Sequence, residues 1–179
     1  MLQKSSIIKT AEIFFISPIK KHYLMELSRN IGVAHTSVRK NLNTLRRLNL
    51  ITASVEKRGK RKFPFYKANR DNRLFKEYKR TYNLSSLIES SVIDFIEKKV
   101  MPRSIVLFGS YARGEDTEES DIDLFVECEK EALPLANFEK KLKRRIELHF
   151  NEKFISYPKE LKNNIINGIV VRGFLEGYS

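Results

Sequence analysis

The stretch from Ser104 to Val126 limits the fold more than any other. An apolar run, Ser104-Ile105-Val106-Leu107-Phe108, stops at Gly109-Ser110. Ten residues later, Asp121-Ile122-Asp123 opens a second apolar run, Leu124-Phe125-Val126. A short run without polar alternation suits a strand covered on both faces. Two such runs joined by a glycine-led turn predict adjacent strands of a buried sheet, with a helical turn over Tyr111–Gly114 between them. Asp121 and Asp123, two apart in the second strand (121–127), project to one face, and Ile122 projects into the core.

That arrangement has a chemical consequence. Glycine lets the backbone approach a phosphate closely. The first amides of a helical turn are unpaired and carry the positive end of its dipole. Ser110 adds a hydroxyl for a phosphate oxygen, and Arg113 is a candidate to neutralise phosphate charge. Two carboxylates on one edge suit Mg²⁺ (or Mn²⁺), which takes oxygen ligands and shares them with substrate phosphates. Gly109, Ser110 and Arg113 are therefore the expected nucleotide-binding residues. Asp121 and Asp123 are the expected metal ligands and catalytic residues, and the expected ligand is a metal-bound nucleoside triphosphate.

Charge separates this region from the rest. Residues 1–82 hold 20 Lys and Arg against 5 Asp and Glu, giving +15, while residues 83–179 hold 14 against 17, giving −3. Such asymmetry suggests two modules with different partners, the basic one suited to a polyphosphate backbone. The expected division is 1–83 and 84–179.

In the basic half, apolar residues at helical spacing predict helices over 5–16, 22–30 and 34–49, with Pro18 stopping the first and Gly32 the second. The runs 50–55 and 63–68 read as paired strands, with Glu56–Lys62 as the connection and Gly59 at its turn. Helix, helix, turn, helix and basic hairpin resemble a winged helix-turn-helix domain over residues 5–70. The resemblance implies DNA binding through the third helix and the wing. The outer face and start of that helix offer Thr36, Ser37, Arg39, Lys40, Asn43 and Arg47, and the hairpin tip offers Lys57, Arg58, Lys60, Arg61 and Lys62.

Further on, a helix is expected from Asp71 to Lys99, broken at Asn83–Ser86. Leu74, Phe75 and Tyr78 would face inward in its first part, and Leu87, Ile88, Val92, Ile93 and Ile96 in its second. A basic helix over 135–150, a strand over 153–157, a closing helix over 158–167 and an extended tail over 168–175 complete the chain.

Phe108-Gly109-Ser110-Tyr111-Ala112-Arg113-Gly114 with Ser120-Asp121-Ile122-Asp123-Leu124 resembles the signature of minimal nucleotidyltransferases, of the polymerase-beta-like superfamily, over roughly residues 85–175. The resemblance implies a small α/β domain that transfers a nucleotidyl group to a hydroxyl as pyrophosphate leaves, an in-line displacement between cations. Active members carry a third carboxylate on the strand after the long helix. The strand expected there, Lys153–Tyr157, has none, with Glu147 on the helix and Glu152 at its end. Nucleotide binding is thus expected and turnover left open. The same resemblance suggests an antitoxin-like role, with a small helical protein as partner.

The fold class expected is α+β: a winged helix-turn-helix (three helices plus a hairpin wing) followed by a small α/β nucleotidyltransferase-like domain. DNA and a nucleoside triphosphate are the expected partners, and a second copy of the chain is a further candidate. With one cysteine, Cys128, no internal disulfide is possible. Lys9 and Glu12 interrupt the apolar N-terminal stretch, no run approaches the length of a membrane span, and a cytoplasmic location is expected. His22, His35 and His149 are scattered and suggest no zinc site.

Overall fold

A computed structural model describes residues 4–176, with Arg58 described in its backbone alone. The chain divides into two compact units, Met1–Tyr82 and Asn83–Ser179.

The first unit packs α1 (Ser6–Ile16), α2 (Leu24–Ile31) and α3 (His35–Arg47) around Phe14, Leu27, Val38 and Leu42, all fully buried. Gly32 ends α2 at φ 65°, a left-handed cap that glycine adopts without a Cβ penalty. The hairpin of β1 (Ile51–Arg58) and β2 (Arg61–Ala68) follows, paired from Ile51↔Ala68 to Arg58↔Arg61. The strands therefore consume most of the connection expected over Glu56–Lys62. His22 begins no helix: its backbone forms a bridge with Tyr66 in both directions, at 2.9 and 2.8 Å, and α2 starts two residues later.

α4 (Arg73–Ser90) runs without interruption through Asn83–Ser86, where the sequence predicts a break. The amide of Asn83 is buried and donates to Tyr111 O at 2.9 Å and Asp116 Oδ1 at 2.7 Å. Those bonds remove the reason an asparagine would leave a helix. The break falls at Ser91, at φ 66°, before α5 (Val92–Val100). In the early part of α4, Phe75 is buried but Leu74 and Tyr78 are exposed. Lys79 takes the inward position instead, donating to Phe15 O at 2.6 Å near the C-terminus of α1, where a cation is favoured. Ile88, expected inward, is also exposed.

The second unit is built on a four-stranded sheet in the order β5-β4-β3-β6. β3 (Ser104–Phe108) is buried at every residue, in keeping with its unbroken apolar run. α6 (Gly109–Arg113) follows it directly, and β4 (Ile122–Val126) returns antiparallel. α7 (Ala136–Leu142) then crosses to β5 (Ile146–Phe150), which lies parallel to β4. The helix expected over 135–150 is thus half that length, because Lys143 turns into the left-handed region at φ 55° and the chain re-enters as a strand. The strand expected at 153–157 is a single 3-10 turn, Phe154–Ser156. After α8 (Lys159–Ile166), the expected tail is β6 (Ile169–Gly173), paired antiparallel with β3.

Alternation divides the sheet's two faces. Ile105, Leu107, Ile122, Leu124, Val126 and Ile146 pack with Leu87, Val92, Ile93 and Ile96. Val106, Phe108 and Phe125 pack on the other side with Phe154 and Ile165. The second face also carries Asp123, Glu147 and His149, at the alternate positions of β4 and β5. Among the described residues, no helix is long and apolar enough to cross a membrane.

Candidate functional site

β3 delivers the chain to Gly109, which stands at φ 73°. A Cβ there would lie 2.2 Å from Oδ2 of Asp123, so any other residue would have to move the carboxylate and hold a strained backbone angle as well. Phe108 and Asp123 are register partners, and this pairing sets the carboxylate against the turn. Half-buried Ser110 follows Gly109 within α6, and its carbonyl accepts from Glu115 N at 3.0 Å.

Asp123 has two further neighbours. Glu147 is its partner across the parallel β4–β5 ladder, and His149 lies two residues beyond on the same face. Ligand atoms of Asp123, Glu147 and His149 all lie within 4.8 Å of one another. Nε2 of His149 is 3.7 Å from Asp123 Oδ1 and 3.9 Å from Glu147 Oε1. Both separations exceed hydrogen-bond length. Nε2 is buried and has no hydrogen-bond partner. The ring is held edge-on against Phe108, centroids 5.1 Å apart. The neighbouring Asp123 carboxylate is the main cause raising the His149 pKa above its ordinary value; burial opposes the rise, and the charge of Glu147 adds to it. Two carboxylates and an imidazole nitrogen that makes no hydrogen bond of normal length, all within 4.8 Å of one another, are a donor set that suits a divalent cation.

The other expected site residues are dispersed. Asp121 precedes β4 and stands outside this three-residue group. It lines a cleft of about 390 Å³ with Glu118, Glu119, Ser120, Glu139, Lys143, Arg144 and Arg145. Arg113 is exposed and its Nε donates to Glu115 at 2.9 Å. In the first unit, Thr36, Arg39, Lys40, Asn43 and Arg47 are exposed on α3, and Ser37 is half-buried. Arg47 donates to Thr44 at 3.2 Å. Lys57, Lys60, Arg61 and Lys62 are exposed around the hairpin tip, and the side chain of Arg58 lies outside the described residues.

The sequence expectation puts Glu147 on a helix and gives His149 no role, although the signal for a strand through both is present. Ile146, Leu148 and Phe150 alternate with Glu147 and His149, which is strand periodicity. It is masked by Leu135, Phe138 and Leu142, whose helical spacing runs into the Lys140–Arg145 charges without a glycine or proline to stop it. For the third carboxylate, absent from residues 153–157, the structure offers Glu147 as a candidate, on a strand that begins seven residues earlier.

Comparison with known proteins bears on this unit. Two proteins of Methanocaldococcus jannaschii, each named "putative protein adenylyltransferase", match short stretches. One is 56% identical over 39 residues, covering 22% of this chain and 39% of the relative. The other is 56% identical over 32 residues, covering 18% of this chain and 33% of the relative. The chain thus spans well under half the length of these curated relatives. No solved structure matches at a significant level. Residues 89–171, which hold the glycine turn, the Asp pair and Glu147, match the family model described as a nucleotidyltransferase domain.

Proposed function

We propose that the second unit transfers a nucleotidyl group from a metal-bound nucleoside triphosphate to a hydroxyl acceptor. The observation that carries the reading is Glu147 opposite Asp123, a carboxylate on the strand where the family resemblance requires one. A cation bound there would neutralise the triphosphate and stabilise the attacking and leaving oxygens. Asp123 and Glu147 would hold it, with Asp121 as the further carboxylate of the pair.

Gly109, having no side chain, leaves the phosphate a path to the carboxylate, and Ser110 offers it a hydroxyl. The acceptor oxygen attacks the α-phosphorus, the bond to the bridging oxygen breaks, and pyrophosphate departs. A carboxylate of the cluster takes the hydroxyl proton. The names of the two M. jannaschii relatives make ATP the first triphosphate to test and a protein hydroxyl the first acceptor. Incubation with α-labelled ATP, Mg²⁺ or Mn²⁺ and candidate acceptor proteins should label an acceptor, and Glu147→Gln should abolish the label. Equal labelling by Glu147→Gln would defeat the reading.

A second element of the proposal concerns the first unit, as a winged helix-turn-helix that binds DNA through α3 and the hairpin. It is supported by the +15 charge of residues 1–82 and by exposure of Thr36, Arg39, Lys40 and Asn43 on one helix. If nucleotide binds and DNA binds but nothing is transferred, the chain is a regulator that senses nucleotide. Labelling only in the presence of a small helical protein would favour the antitoxin-like reading.

A further inference from the structure

We propose that His149 is a nitrogen ligand of the cation site and that the site therefore takes a first-row transition ion, Mn²⁺ or Co²⁺, in preference to Mg²⁺. The inference rests on reading Asp123 and Glu147 as metal ligands and adds a ligand and a metal class to it.

Three observations carry it. The first is the orphaned atom. Nε2 of His149 is buried, without a hydrogen-bond partner, and its two nearest acceptors stand at 3.7 and 3.9 Å. Were the imidazole there only to bond Asp123, the pair would close to about 2.9 Å. Atoms bound ~2.1 Å from one cation stand roughly 3 Å apart at right angles and about 4 Å apart across it, and the observed spacings fall in that range.

The second is direction. Glu147 and His149 project from the same face of β5, and Asp123 from the same face of β4, because strand side chains alternate and the ladder is in register. The third is anchoring. Phe108, immediately before the glycine turn, holds the imidazole ring edge-on, so the nitrogen is presented rather than free to swing into solvent.

Metal preference follows from the donor set. Mg²⁺ wants six oxygens in near-ideal octahedral geometry and parts with its waters reluctantly. An imidazole nitrogen is a poor exchange for an oxygen there, whereas Mn²⁺ and Co²⁺ accept it, Co²⁺ with the higher affinity.

The test is pulsed electron paramagnetic resonance of Mn²⁺ alone bound to the full-length chain without a polyhistidine tag. The spectrum should carry modulation from a directly bound ¹⁴N, replaced by ¹⁵N frequencies when the chain is made with ¹⁵N-histidine. His149→Ala should remove the modulation and weaken Mn²⁺ by at least about tenfold. Mg²⁺ should displace Mn²⁺ only at concentrations at least about tenfold higher. The labelled wild-type spectrum needs no variant, so a failure of His149→Ala to fold leaves the test intact. Mn²⁺ bound without nitrogen coupling, coupling that survives His149→Ala, equal competition by Mg²⁺, or no Mn²⁺ bound at all would each overturn the inference. Nitrogen coupling without any nucleotide transfer would leave the metal site standing and sink the transferase reading alone. Transfer with Mg²⁺ and no nitrogen coupling would do the reverse.

Discussion

Asp123 of β4 and Glu147 of β5 are register partners on parallel strands, and one carboxylate oxygen of each and one ring nitrogen of His149 all lie within 4.8 Å of one another. Replacing either carboxylate by its amide leaves the strands intact and removes one negative charge from the cation site proposed above. Asp123→Asn and Glu147→Gln should each lower nucleotidyl transfer by about a hundredfold or more, as loss of charge stabilisation at a reacting centre does. Calorimetric titration of Mn²⁺ should weaken in parallel. A variant that keeps wild-type transfer would remove its residue from the site.

Gly109 offers a steric test of the same place. An alanine there meets Asp123 Oδ2 at 2.2 Å and must also hold φ 73°. Gly109→Ala should cost about 1–3 kcal/mol in stability from the backbone angle alone. Displacement of the carboxylate should reduce transfer beyond what the lower stability explains. The check compares melting temperature with activity measured well below it. Full activity in a merely less stable variant would mean the carboxylate need not sit where it does.

The basic unit predicts a salt-dependent affinity. Lys57, Lys60, Arg61 and Lys62 are exposed around the turn of the β1–β2 hairpin. If they pair with phosphates, changing all four to alanine should weaken DNA binding. It should also lower the slope of log affinity against log salt by roughly 0.9 for each phosphate that is no longer neutralised. Fluorescence anisotropy with duplex DNA at several salt concentrations reads both effects. An unchanged slope would place DNA binding elsewhere or nowhere.

Cys128, half-buried just beyond β4, predicts a pH profile. Burial raises its thiol pKa first, and the charges of Glu131 and Glu129 raise it further. The thiolate is the reactive form, so the midpoint of alkylation rate against pH should lie above that of the same chain in urea. Changing Glu129 and Glu131 to glutamine removes two of the causes and should move the midpoint down. A folded midpoint at or below the unfolded one would contradict the environment described.

The parts legible in the sequence share one property: their signal is local. The unbroken apolar run of β3 announces a covered strand, and the proximity of Gly109 and Asp123 can be read because they lie within fifteen residues on either side of one turn. Glu147 gains meaning only beside Asp123, and the parallel ladder that puts it there depends on where α7 stops. That stop is made by Lys143 in a left-handed conformation, a position where glycine or asparagine would have been readable. β6 is hidden for a related reason. Its pairing joins Ser104 to Gly173 across the whole unit, and no neighbouring residue records it. His149 is one of three scattered histidines until the sheet brings it to two carboxylates.

A buried polar group between α4 and α6 yields the last prediction. Asp116 is almost wholly buried, accepts from Asn83 at 2.7 Å, and lies 3.7 Å from Nη2 of Arg144, itself largely buried. Asn83 also donates to Tyr111 O, so one amide ties α4 to both α6 and the loop that leads to Asp121. Truncating one member of a buried charge pair costs up to about 3–5 kcal/mol, and less where the remaining charge keeps other partners. Asp116→Ala, which also removes the acceptor of Asn83, should therefore destabilise the second unit by up to that amount. Asn83→Ala, which removes neutral donors only, should cost about 1–2 kcal/mol. Because the chain has two units, a single unfolding curve would mix them. Hydrogen exchange of the β3 and β4 amides reports on the second unit directly and should accelerate in Asp116→Ala. Unchanged exchange there would mean that water or another group compensates Arg144, and the clamp would lose its structural role.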